Sequence, residues 1–150
     1  MRLVLYQPDI PQNAGTLLRL AACMGVAVDI VEPCGFLFSD RHFRRAGLDY
    51  LPDAEMIRHQ SWAAYRNARP AGRLVALSAH ADTPYADFRF RSDDALLLGQ
   101  ESTGLPADIE AAADASLRIP MRSGLRSLNV AVAAAMVLGE ALRQTDGWPA

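Results

Sequence analysis

Between Leu117 and Arg143 the chain reads LRIPMRSGLRSLNVAVAAAMVLGEALR, and residue types able to hold a polar ligand crowd its first half. Leu117–Ile119 is a short apolar run with a β-branched residue. Pro120 stops it, because proline has no N–H to give a strand ladder. A loop with Arg122, Gly124 and Arg126 follows, then an Ala/Val-rich helix whose expected first turn is Ser127-Leu128-Asn129. Serine and asparagine accept the free N–H groups of a helix start. The backbone between strand end and helix start is therefore placed to cradle a polar ligand, although an ordinary βα connection would look the same.

Two other segments leave strands in a similar way. Leu74–Leu77 opens into Ser78–Pro84, and Ala95–Leu98 opens into GQESTGLP. Ligands of parallel sheets sit beyond the carboxyl ends of the strands. The loops Leu77–Pro84, Gly99–Pro106 and Pro120–Leu128 are thus expected to build one site. The pattern names no chemistry.

All 15 basic residues are arginines, and the net charge of -2 excludes a general basic coat while leaving room for a local patch. Arginine can fork onto phosphate and stack on bases in ways lysine cannot. Arg41, Arg44 and Arg45 form one group, and Arg118, Arg122 and Arg126 another. Arg19 shares a helical stripe with Gln12, Thr16 and Cys23, between flanking leucines. A solvated arginine and a functional one both fit that stripe. Cys23 and Cys34 fall on different elements and read as reduced, small, buried hydrophobes. His42, His59 and His80 have no metal-like spacing, so no metal is expected.

These residues need a scaffold. With 150 residues, 51% hydrophobic and 21% charged, the chain has apolar material for one domain over 1–150, with residues 146–150 (DGWPA) as a loose tail. No apolar run is long enough to span a bilayer. The opening MRLVLYQPDI reads as a strand rather than a signal peptide, so a cytoplasmic location is expected. Leu3–Tyr6, Val28–Val31, Leu74–Leu77, Ala95–Leu98 and Leu117–Ile119 read as buried strands. Helices are expected over Ala14–Met24 with Asn13 as cap and Gly25 as stop, over Ser39–Ala46, over Ser61–Arg69, and from Pro106 to about Ala112. Strands alternating with helices imply an α/β fold, a mostly parallel sheet with helices on both faces. The first βα turn lacks a G-x-G-x-x-G pattern, which counts against a dinucleotide or flavodoxin-like reading.

Taken in order, LYQPDIPQNAG with Arg19 downstream, EPCGF, RRAGLDY, RLVAL, LLGQESTGLP and IPMRSGLRSLN resemble the SPOUT class of RNA methyltransferases. Within that class they are most similar to the small TrmL/YibK-like tRNA 2'-O-methyltransferases, over nearly the whole chain. The resemblance implies a deep C-terminal trefoil knot and S-adenosylmethionine as cofactor. It places Leu77, Gly99, Ile119 and Ser127 at the cofactor, and matches Asn13, Arg19, Glu101 and Asn129 to catalytic positions. It further implies a homodimer without a separate RNA-binding extension, acting on the wobble ribose of cytidine or modified uridine in tRNA, leucine tRNAs included. Arg41, Arg44, Arg45, Arg122 and Arg126 are the expected RNA contacts. Close relatives commonly read G-P-E-T-R-G where this chain has Gly99-Gln100-Glu101-Ser102-Thr103-Gly104. Another tRNA or rRNA position as target, or a non-catalytic RNA- or nucleotide-binding module on the same fold, are the alternatives.

Overall fold

A computed structural model describes residues 1–38, 41, 45 and 55–150. Among the described residues seven strands form one sheet: β1 (Arg2–Tyr6), β2 (Ala27–Val31), β3 (Met56–His59), β4 (Leu74–Leu77), β5 (Thr83–Pro84), β6 (Ala95–Leu98) and β7 (Ala115–Arg118). Their order across the sheet is β3-β2-β1-β6-β4-β7-β5. Every pairing is parallel, with Leu3 beside both Val28 and Leu96. The expected α/β architecture is therefore present. Strands buried on both faces need apolar residues at successive positions rather than in alternation, as LVLY and ALLL show.

One face is covered by α1 (Pro11–Met24) and α4 (Val130–Gln144), which pack on each other. Leu3, Leu5, Leu17, Leu18, Ile30, Leu96 and Leu138 make that core. Fully burying a leucine contributes about 1.5–3 kcal/mol, so Leu17 and Leu18 alone anchor α1 firmly. The other face packs Val4, Val31, Leu74 and Leu97 against Tyr65 of α2 (Trp62–Ala68) and Ile109 of α3 (Ala107–Ala111). Ser61 caps α2 by accepting from the Ala64 N–H at 3.1 Å. Gly25, at φ 64, closes α1 in the left-handed conformation that glycine adopts without strain.

Several boundaries differ from the sequence reading. Asn13 does not cap α1. The helix begins at Pro11, whose missing N–H is no loss in a first turn, and Ile10 holds the cap position. Likewise Ser127 and Leu128 stand outside α4, which begins at Val130, and Asn129 alone caps it. Cys23 is exposed rather than buried, although Cys34 is partly buried. Strands β3 and β5 were not legible. β3 is an edge strand with Ile57 and Arg58 exposed, held through His59, whose Nε2 lies 2.7 Å from the buried Asp29 Oδ1. β5 is two residues at the opposite edge. The helix expected over Ser39–Ala46 and the Arg44 within it lie outside the described residues, apart from Arg41 and Arg45, which are exposed. Among the described residues no helix is long and apolar enough to cross a membrane.

Candidate active site

Strands β6, β4 and β7 are neighbours, so their carboxyl ends deliver three loops to one place. A cavity of about 510 Å³ opens there, lined by Leu77, Gly99, Ile119 and Ser127 together with Asn13, Glu101, Arg126 and Asn129. Leu98, Leu117 and Ile119 supply apolar wall, and the residues after each strand supply polar groups. All four expected cofactor residues and three of the four expected catalytic ones thus border a single space.

The second loop turns back on itself. Gln100 and Gly104 exchange both backbone bonds, at 3.2 and 2.8 Å, and the Thr103 hydroxyl donates to Gln100 Oε1 at 2.6 Å. A Cβ on Gly99 would stand 2.5 Å from the Gly104 carbonyl carbon and 2.6 Å from Leu105 N. Close approach of the loop's own backbone therefore requires this glycine, whatever ligand occupies the cavity.

Loop Gly99–Gly104 is fastened to the chain ahead of α1. The Glu101 N–H donates to Asp9 Oδ1 at 3.0 Å, and the Asp9 N–H donates to Glu101 Oε2 at 3.1 Å. The Ser102 hydroxyl also donates to Asp9 Oδ2. Burial, and then the neighbouring Asp9, push the Glu101 carboxyl above its ordinary value. Hydrogen bonding to Glu101, opposed by burial and reinforced by Ser102, holds Asp9 below its own. Glu101 Oε1 is buried without a hydrogen-bond partner among the described residues. Asp9 and Ser102 were not among the site residues read from sequence. No local pattern signals a partner 92 positions away.

Asn129 caps α4 by accepting from the Ala131 and Val132 N–H groups at 2.9 and 3.3 Å. Those two backbone donors fix its amide orientation, leaving Nδ2 to donate to Asn13 Oδ1 at 2.9 Å. The chain's two candidate asparagines therefore meet. Arg19 is placed differently. It lies with Gln12, Thr16 and Cys23 on the exposed stripe of α1 and is not among the residues that line the cavity. Arg122 and Arg126 are both exposed, Arg126 at the main cavity and both at an adjoining one of about 560 Å³ that includes Leu125 and Met136.

The SpoU rRNA Methylase family model matches residues 1–139. The tRNA (cytidine(34)-2'-O)-methyltransferase of Beijerinckia indica subsp. indica is 61% identical over 144 residues, 95% of this chain and 90% of that protein. A solved structure described as giving structural insights into the 2-OH methylation of C/U34 on tRNA matches with a TM-score of 0.91 and 46% identity, over 95% of this chain and 94% of that one. The AdoMet-bound rRNA methyltransferase from Sinorhizobium meliloti matches with a TM-score of 0.85 and 28% identity, over 95% of this chain and 55% of that one.

Proposed function

Because this chain belongs to the SpoU rRNA methylase family, we propose residue roles for a methyl transfer at the cavity just described. The protein is an S-adenosylmethionine-dependent tRNA methyltransferase acting on the ribose 2'-hydroxyl of cytidine 34. Relatives matching over nearly full length act on tRNA, which decides against the rRNA of the family's name.

What carries the assignment of residues is that the ends of β6, β4 and β7 set Leu77, Gly99, Ile119 and Ser127 around one cavity. The residues fit S-adenosylmethionine. A volume of about 510 Å³ falls within the roughly 300–1,000 Å³ of small-molecule sites. Glu101 Oε1 is a buried acceptor that an incoming donor would satisfy. When bound, the cofactor supplies a methyl group on a sulfonium for in-line displacement by the hydroxyl oxygen, chemistry that needs no metal.

The protein's part is placement and charge. Leu77, Gly99, Ile119 and Ser127 hold the cofactor, while Asn129 caps α4 beside it and ties that helix start to Asn13 of α1. A guanidinium is never neutral near pH 7, so Arg19 does not abstract the proton. Its role is to orient the ribose and stabilise the oxyanion that develops as the hydroxyl attacks. Since Arg19 stands outside the cavity of its own chain, a second copy brings it there. The same copy would cover Leu128, Val132 and Met136, which are large apolar side chains left exposed. Leucine-accepting tRNAs are the proposed substrates, contacted by Arg41, Arg44, Arg45, Arg122 and Arg126. The domain works in the cytoplasm, its C-terminal part threaded as the family's trefoil knot.

Incubation of purified protein with S-adenosylmethionine and whole tRNA, followed by mass spectrometry, is expected to find the methyl on the ribose of nucleotide 34. A methyl on a base, or on rRNA with tRNA untouched, would reassign the substrate. Mixing Arg19→Ala with Gly99→Val subunits is expected to restore activity, because a mixed dimer keeps one intact site.

A further inference from the structure

We propose that Asp9 is a positioning residue for methyl transfer, its carboxylate fastening the Gly99–Gly104 loop to the segment that opens α1, so that cofactor and Asn13 are placed together. This inference rests on reading that loop as part of the cofactor site.

The geometry is reciprocal. Asp9 and Glu101 exchange N–H-to-carboxylate bonds at 3.0 and 3.1 Å, and Ser102 adds a hydroxyl donor to the other Asp9 oxygen. Gln100, Thr103 and Gly104 bond one another, which shapes the loop but does not attach it elsewhere. Asp9 is itself pinned from behind. The Gly35 N–H donates to the Pro8 carbonyl at 2.9 Å, and a Cβ on Gly35 would stand 2.9 Å from both Cα and Cβ of Asp9. Three segments separated in sequence therefore converge at Asp9: LYQPDIPQNAG, EPCGF and LLGQESTGLP. Asp9 does not line the cavity, whereas Ile10, Glu101 and Ser102 do, so it acts through them.

Charge supports the same division of labour. Hydrogen bonding with Glu101 holds Asp9 below its ordinary value and burial pushes Glu101 above its own, so Asp9 is the more readily ionised of the two, and the loop's donors meet it.

The test compares wild type, Asp9→Ala and Asp9→Asn by calorimetry with S-adenosylmethionine, by steady-state methylation of tRNA, and by thermal unfolding. Loss of charge-assisted hydrogen bonds predicts a rise of about tenfold or more in Kd and KM for the cofactor in Asp9→Ala. The fall in kcat should be smaller, and the melting temperature should stay near wild type. Asp9→Asn keeps the acceptor for the Glu101 N–H and should recover affinity to within about threefold of wild type. Unchanged affinity in Asp9→Ala would overturn the proposal. So would a loss that follows a fall in melting temperature and is not recovered by Asp9→Asn. If wild type itself binds no S-adenosylmethionine, the reading of the loop as a cofactor site fails instead.

Discussion

The side-chain amide of Asn129 donates to Asn13 Oδ1 at 2.9 Å, joining the start of α4 to α1 across 116 positions. The same side chain caps α4 through its oxygen. One residue thus carries two separable roles. Asn129→Asp keeps the capping oxygen and loses the donor, so it should hold stability and lose turnover. Asn129→Ala loses both and should cost about 1 kcal/mol of stability as well. Denaturant unfolding beside methylation assays reads the difference. Equal activity in the two variants and wild type would remove the tie from the mechanism.

Gly99→Val should fail through the loop before it fails through the ligand. Its Cβ would overlap the backbone of Gly104 and Leu105 at 2.5–2.6 Å, and backbone cannot swing aside as a side-chain tip can. The expected outcome is a loss of cofactor affinity of about tenfold or more in a variant that still folds. Calorimetry on the folded protein with S-adenosylmethionine checks it, and native affinity would place the site elsewhere.

Arg19→Ala should separate chemistry from binding. The residue is exposed on α1 and is not among those that line the cavity. Turnover should collapse while cofactor affinity and melting temperature stay near wild type. A variant that methylates tRNA normally would assign Arg19 to the surface alone.

Removing exposed arginines should change the salt dependence of tRNA binding rather than its sequence preference. Each phosphate deprived of its arginine lowers the slope of log K against log salt by about 0.7–1. Arg45→Ala and Arg126→Ala, both at exposed positions, are the variants to measure by fluorescence titration across salt concentrations. Slopes identical to wild type would move the RNA surface away from these two residues.

Alkaline pH should weaken the fold through two protons, one on the partly buried Cys34 and one on the buried Tyr65. Burial raises the Cys34 thiol from 9.0 to about 11 and the Tyr65 hydroxyl from 10.0 to about 12. Each folded value exceeds its unfolded one, so the unfolded chain releases these protons first. The stabilisation is complete below the unfolded values and drains away as pH climbs toward 11 and 12. Chemical denaturation at stepped pH should show stability falling above about pH 9. The fall should be shallower in Cys34→Ala and Tyr65→Phe, and an unchanged pH slope in both would refute the assignment.

Sequence alone determined the elements that bury apolar runs. Leu3–Tyr6, Leu74–Leu77 and Ala95–Leu98 announce themselves because a strand covered on both faces must be apolar throughout, and Pro and Gly mark where each loop departs. That was enough to name the three loops that border the cavity. It was not enough for β3, an edge strand paired with β2 whose Ile57 and Arg58 are exposed, so that its sequence carries no apolar run and His59 is buried on Asp29. Nor could it separate Asn13, which lies within α1, from Asn129, which caps α4, since both residues suit a helix start equally. Tertiary structure decided which distant groups meet. The order β1-β6-β4-β7 puts loops from both halves of the chain side by side. Only then does Asp9 find Glu101, and Asn13 find Asn129, because a hydrogen bond depends on separation in space and leaves no period in the sequence.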